Sequence, residues 1–257
     1  MQQRKPRHPT RRIEGTYPTS TGTARIVADP ARDGAYILEV NDVPSSHVVL
    51  GAPEVLSFDY MEWIAQLLDA SPPSTTVHLG AAACALPSYA RQRWQGRTVA
   101  VEIDAELARL VRWAFDPDVE LVVADARTFT HALAPGSVDA IVRDVFSGPA
   151  TPRPLTTVEF FRAVRRALAP GGVYAANVGD RSGLPETRSE LAGLREVFDH
   201  VAAISTADML DGRAYGNIVL AASDQPLTYT GRAVFRGDAW AASLGGTARY
   251  DRKASDD

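Results

Sequence analysis

The stretch TTVHLGAAACALPSYARQRWQGRTVAVEIDAELARLVRWAF, residues 75–115, decides the fold. Thr75 to Leu79 is a short apolar run rich in β-branched residues, and Arg97 to Ile103 is a second. Leu86 to Trp94 and Ala105 to Phe115 follow them as helices, with apolar residues at helical spacing. Strands that are apolar along their length and joined by helices imply a parallel sheet covered on both faces.

Downstream the alternation continues. Val119 to Val123, Val138 to Val142 and Gly172 to Asn177 read as strands, and Ala126 to Leu133 and Thr157 to Leu168 as the helices between them. Gly171-Gly172 after Pro170 stops a helix and turns the chain. Glu186 to Phe198 reads as a helix, and Val201 to Ser205 and Asn217 to Ala222 as closing strands, seven strands in all. Upstream, Ala24 to Ala28, Ala35 to Val40 and Ser46 to Leu50 form a small antiparallel meander, with turns at Asp29-Pro30, Asp33-Gly34 and Asn41-Asp42. A helix from Ser57 to Leu68 follows, ended by Pro72-Pro73. The expected division is a disordered basic arm (1–23), the meander and connecting helix (24–73), the α/β domain (74–225) and a partly disordered C-terminal extension (226–257).

Composition narrows the class further. Of 257 residues 45% are hydrophobic and 23% charged, as in soluble globular chains. The single cysteine, Cys84, excludes an internal disulfide and a Cys-rich zinc site. No apolar run reaches the roughly 18 residues that span a bilayer, and no apolar signal core follows the basic start. A soluble, cytoplasmic protein is expected. The net charge of −4 combines 27 basic and 31 acidic residues; without the five cations of residues 1–12 the remainder stands at 22 against 31, or −9. The arm reads as a solvated tail rather than a nucleic-acid or membrane anchor.

In an open parallel sheet, ligands lie outside the carboxyl ends of the strands. After the first strand, Gly80 and Ala81 to Ala83 make a tight turn of small residues through which backbone amides approach a ligand, although packing explains such a turn equally well. After the second, Glu102 lies about 20 residues beyond the turn, where a carboxylate holds ribose hydroxyls. Asp104 reads as the cap of the next helix. Asp125, before Ala126, is either a helix cap or an acceptor for an adenine amino group, and Asp144 is a third acid at a strand end. Trp63, Trp94 and Trp113 read as core or interface, and His47, His78, His131 and His200 carry no assigned role. No cluster suggests a metal.

With those residues placed, Val77 to Asn177 resembles the nucleoside-binding domain of class I S-adenosylmethionine-dependent methyltransferases, a Rossmann-like α/β fold. More closely, Tyr36 to Ala222 resembles the polyamine aminopropyltransferases, the spermidine and spermine synthase family. VEID (101–104), ADA (124–126), DVFSGP (144–149) and LTTVEFFRAVRRALAPGGV (155–173) carry the likeness, with LEVNDVPSSHV (38–48) and FDYMEWIAQLL (58–68) upstream. The resemblance implies decarboxylated S-adenosylmethionine, or S-adenosylmethionine, as co-substrate without a metal, bound by Gly80, Ala82, Glu102, Ile103, Asp125 and Ala126. It implies Asp144 and Tyr60 as catalytic residues, Glu62 and Ser147 as contacts to a small-molecule amine, and a homodimer. The sequence departs from the family at Ala83, where an aspartate meets the aminopropyl amine, at Ser147, where a second acid anchors the polyamine, at Ser45 for a glutamine and at Met61 for a histidine or glutamine. Three functions fit: aminopropyl transfer, methyl transfer on the same scaffold, and nucleoside binding without turnover.

Overall fold

The computed structural model describes residues 13–148 and 150–252. An antiparallel four-stranded sheet opens the chain, in the order β1 (Gly15–Thr19), β2 (Gly22–Ala28), β3 (Ala35–Val40) and β4 (Val43–Val49). The connecting helix α1 (Asp59–Leu68) leads into an alternating series: β5 (Thr75–Leu79), α2 (Ala85–Trp94), β6 (Arg97–Glu102), α3 (Ala105–Phe115), β7 (Glu120–Val123), α4 (Ala126–Ala132), β8 (Val138–Arg143), α5 (Val158–Ala167) and β9 (Leu168–Asp180). Then come α6 (Pro185–Arg195), β10 (His200–Ser205), α7 (Ala207–Leu210), β11 (Gly216–Ser223), β12 (Val234–Arg236) and α8 (Asp238–Leu244).

The second sheet runs β12-β10-β11-β9-β8-β5-β6-β7. From β9 to β7 the neighbours are parallel, and β11, β10 and β12 extend the sheet antiparallel. Beginning at β5, the chain builds outward first through β6 and β7, then on the other side through β8 and β9. The switch point therefore falls between β5 and β8, the crevice where a ligand sits in such sheets.

Three differences from the sequence reading stand out. The sheet has eight strands, because Val234–Arg236 pairs with β10 in a segment too short to show strand periodicity. Gly15–Thr19 is a strand inside the stretch expected to be a disordered arm, and it pairs with β2 across the Ser20-Thr21 turn. The C-terminal extension holds β12 and α8, and Arg249 bridges to Thr157. Residues 1–12 and 253–257, which include most of the basic arm, lie outside the described residues.

The alternation of side chains in the strands builds a core on each face. Ala140, Val142, Ala175, Ile204 and Val219 face α1, where Tyr60, Ile64 and Leu68 cover them. Ile141, Tyr174, Ala176 and Leu220 face the other way, onto Phe160, Phe161 and Val164 of α5 and Leu191 and Leu194 of α6. Each large side chain buried this way contributes about 1.5–3 kcal/mol. A third cluster joins Ala24, Ile26 and Leu38 of the small sheet to Leu107, Val111 and Ala114 of α3. Among the described residues no helix is long and apolar enough to cross a membrane.

Candidate active site

The switch point is built from the turn after β5. Gly80 takes φ +87°, and a Cβ there would lie 2.1 Å from the carbonyl oxygen of Asp144, so only glycine fits where β5 meets β8. Ala82 and Cys84 also have positive φ, 40° and 59°, without being glycine. Such a turn is costly unless neighbours hold it. Two do: the Ala82 N–H donates to Glu102 Oε2 (3.3 Å), and the Ala83 N–H to the hydroxyl of buried Ser46 on β4 (3.1 Å). Helix α2 begins with no side-chain cap, whereas Asp104, Asp125 and Thr157 cap α3, α4 and α5. Uncapped helix amides at a switch point are where an anionic or polar ligand group binds.

Glu102, half-buried at the end of β6, accepts from the Asp104 N–H through Oε1 (3.0 Å) as well as from Ala82. Burial raises its proton affinity, against the pull of the amides of Asp104, Ala82 and Ala81. Each carboxylate oxygen has further acceptor capacity, which suits a pair of ribose hydroxyls. Asp104 is the cap that its position predicts, accepting from the N–H groups of Glu106 and Leu107. It also takes the Ser20 and Thr21 amides and the Thr21 hydroxyl, fastening the β1–β2 turn to α3. Burial alone would raise this carboxyl, but the hydrogen bonds from Leu107, Ser20 and Thr21 outweigh it and bring it down to about 2. Asp125 is exposed at the end of β7 and caps α4 through the Thr128 N–H (2.8 Å). Ala126 behind it is buried.

The strand ends also carry exposed apolar side chains. Ile103 is 62% exposed, Val123 45% and Phe146 39%, and they lie at the carboxyl ends of β6, β7 and just beyond β8. A planar base needs such apolar flanks beside its polar anchors. The sequence reading included Ile103 but missed Val123 and Phe146; the signal was there, since an apolar residue at a strand end beside a polar turn has no helix to cover it.

At β8 the arrangement is different. Asp144, half-buried, receives the Tyr60 hydroxyl on Oδ2 (2.8 Å) and the Asn177 side-chain N–H on Oδ1 (2.9 Å). Tyr60 comes from the first turn of α1, and its ring stacks on Phe58 at 5.9 Å. Burial pushes the Tyr60 phenol well above its usual value, and the Asp144 charge pushes it the same way. Burial also raises the Asp144 carboxyl, opposed by the bonds from Asn177 and Tyr60 and by the Arg143 charge. The result is a carboxylate with strengthened basicity, held at two points. The sequence reading did not include Asn177.

Glu62 does not join this group. Two residues after Tyr60 on a helix, it points about 200° around the axis. It is exposed, and its charge bears on Tyr89 and Tyr229. Ser147 is exposed in the loop after β8, where its N–H bonds to the Ala150 carbonyl. Cys84 is buried and its thiol is raised to about 12 by burial, so it is packing rather than a nucleophile. Among the described residues no group of three or more His, Cys, Asp or Glu is placed to hold a metal.

A doubly covered sheet with acids and apolar residues at successive strand ends, preceded by a small antiparallel sheet, defines a class I methyltransferase fold with an N-terminal β domain. No family model matches the chain. The crystal structure of a probable spermidine synthase from Corynebacterium glutamicum superimposes with a TM-score of 0.89 at 40% identity, covering 95% of this chain and 99% of that one. The chain belongs to the spermidine synthase family of polyamine aminopropyltransferases. The polyamine aminopropyltransferase of Nitrosomonas europaea is 35% identical over 146 residues, covering 51% of this chain and 43% of that protein. That of Aeropyrum pernix is 28% identical over 151 residues, covering 53% and 48%. The chain thus spans about half the length of the curated relatives it matches.

Proposed function

We propose that the protein transfers an aminopropyl group from decarboxylated S-adenosylmethionine to a small-molecule amine by in-line displacement. The observation that carries this reading is the Asp144 carboxylate gripped by Tyr60 and Asn177 beside the Gly80 turn. An alkylammonium has a pKa of about 10, so it must lose a proton before its nitrogen attacks. Asp144 takes that proton and Tyr60 orients the nitrogen. The new C–N bond forms as the C–S bond breaks, and its electron pair neutralises the sulfonium as methylthioadenosine leaves. A sulfonium departs without assistance, so the reading assigns no metal.

On the donor side Gly80 and Ala82 lend backbone groups, Glu102 holds the ribose, and Asp125, Ala126 and Ile103 meet the base. Ser147 lies on the acceptor side, and Glu62, turned away from Tyr60, contributes to it only through its charge at longer range. The body charge of −9 favours cationic small molecules over nucleic acid or membrane surfaces. The same reading places the protein in the cytoplasm, as a homodimer joined through the N-terminal strands. Release of methylthioadenosine from decarboxylated S-adenosylmethionine with a panel of amines tests it, and no release with any amine overturns it.

One observation favours a second reading, methyl transfer from intact S-adenosylmethionine. At the turn where the family carries an acid, Ala83 is buried and pinned by Ser46, so no carboxylate there repels a donor that keeps its own. Calorimetry with both donors separates the two. Tight binding of the intact form alone selects methyl transfer.

A further inference from the structure

Behind the catalytic carboxylate lies a buried charged pair that the reaction does not use directly. Arg143 and Glu190 are 0% and 1% exposed, and they meet through two bonds, Nη1 to Oε2 at 2.7 Å and Nη2 to Oε1 at 3.2 Å. The same guanidinium donates to the carbonyl of Leu155 (2.9 Å) and to that of Asn177 (3.4 Å). Arg143 is the residue before Asp144, Leu155 closes the loop that leaves the site after Asp144, and Asn177 supplies the amide that grips Asp144 Oδ1. One side chain therefore ties together the strand end, the far end of its loop and the neighbouring strand, with Glu190 of α6 as its counter-charge.

Stability is a weak account of this arrangement. Burying two charges costs several kilocalories of desolvation, and apolar side chains of similar volume commonly do as well or better. What an apolar pair lacks is the rigid fork of a guanidinium, which fixes several acceptors at once. The groups around Asp144 are few: the Tyr60 hydroxyl from α1, the Asn177 amide from β9 and Arg143 on its own strand, with Tyr174 and Glu190 facing Arg143 from β9 and α6.

We propose that Arg143 and Glu190 are positioning residues for Asp144, acting through Asn177 and the loop end at Leu155; this rests on the proposed role of Asp144 in accepting the amine proton. The pair keeps the carboxylate oriented toward the crevice and holds the loop at both ends.

The test replaces the pair by apolar residues, Arg143→Met with Glu190→Leu, and follows the Asp144 carboxyl by carbon NMR in protein labelled at aspartate, assigned by its loss in Asp144→Asn. The expected result is an undiminished melting temperature, methylthioadenosine affinity within about threefold, an Asp144 titration midpoint raised by about one unit, and turnover lowered about tenfold. A folded, nucleoside-binding double variant with an unchanged midpoint overturns the proposal. The NMR readout needs no turnover: if the wild type transfers no aminopropyl group, the functional reading fails, while the midpoint of Arg143→Lys, which keeps the charge that itself lowers the Asp144 carboxyl, still decides the positioning role. Should the double variant not fold, Arg143→Lys decides instead. It keeps the charge and loses the fork, so a smaller upward shift supports the role, and no shift overturns it.

Discussion

At the ends of β6 and β7 the acids are held by backbone amides, whereas at the end of β8 the acid is held by side chains. Glu102, Asp104 and Asp125 accept mainly from backbone N–H groups: those of Asp104, Glu106, Leu107 and Thr128 lie within three residues, Ala82 comes from the facing turn, and Ser20 and Thr21, the latter also through its hydroxyl, reach Asp104 from the β1–β2 turn. Asp144 accepts from Tyr60 and Asn177, which lie 84 and 33 residues away in the chain. The first mode satisfies a helix terminus or a turn that must exist anyway; at Asp104 its hydrogen bonds outweigh burial and favour the ionised acid, whereas at Glu102 burial prevails. In the proposed reading, acids fixed in this way form a platform for a neutral nucleoside. The second mode needs three elements to converge, and burial there strengthens the base. That makes a group suited to take a proton.

The sharpest way to break this contrast is to neutralise Asp144. Asp144→Asn is expected to lower turnover by about 10²–10⁴-fold while leaving methylthioadenosine affinity within about threefold, measured by steady-state rates and calorimetry. Equal loss of binding and turnover would place Asp144 in the platform instead. In the wild type, the Asp144 carboxyl is raised by burial, so activity should climb with pH through a midpoint above the ordinary aspartate value. Glu102→Ala is expected to act in the opposite sense. Removing charged acceptors for two hydroxyls costs about 2–4 kcal/mol of nucleoside affinity, seen by calorimetry, and the melting temperature falls as well because the Ala82 and Asp104 amides lose their acceptor.

The same contrast explains what the sequence disclosed. The Gly80 turn, Glu102, the Asp104 cap and the parallel core were legible because each depends on residues close in the chain and on a strand–helix rhythm. Asn177 was not legible as a partner of Asp144, nor Glu190 as a partner of Arg143, because those contacts exist only once β8, β9 and α6 are in register. Strand β1 was masked by its Gly, Pro and Thr residues, and β12 by its three-residue length; both are stabilised by the sheet edges they join. Glu62 came from the resemblance, and the structure shows it on a different face of α1 from Tyr60.

Within the platform, Asp104 and Asp125 share the capping role and differ in what else they hold. Asp104→Ala removes a cap and the anchor of the β1–β2 turn, an expected loss of about 2 kcal/mol by denaturant unfolding. Its folded pKa of about 2 lies below the ordinary 3.8. Its contribution is therefore complete above pH 4 and disappears as pH falls toward 2, so the wild-type excess over Asp104→Ala should shrink across that window.

Asp125→Ala is the smallest and the most discriminating change. As a cap on an exposed helix end, Asp125 is worth about 1 kcal/mol of stability, with no effect on nucleoside binding if capping is all it does. As an acceptor for the base amino group it is worth about a further tenfold in affinity, and Asp125→Ser divides the two roles, because serine caps but carries no charge. Recovered stability with affinity still low puts Asp125 in contact with the base. Recovery of both makes it a cap, and leaves the base to Ile103, Val123 and the backbone around Ala126, an apolar slot whose selectivity comes from shape rather than from an acid.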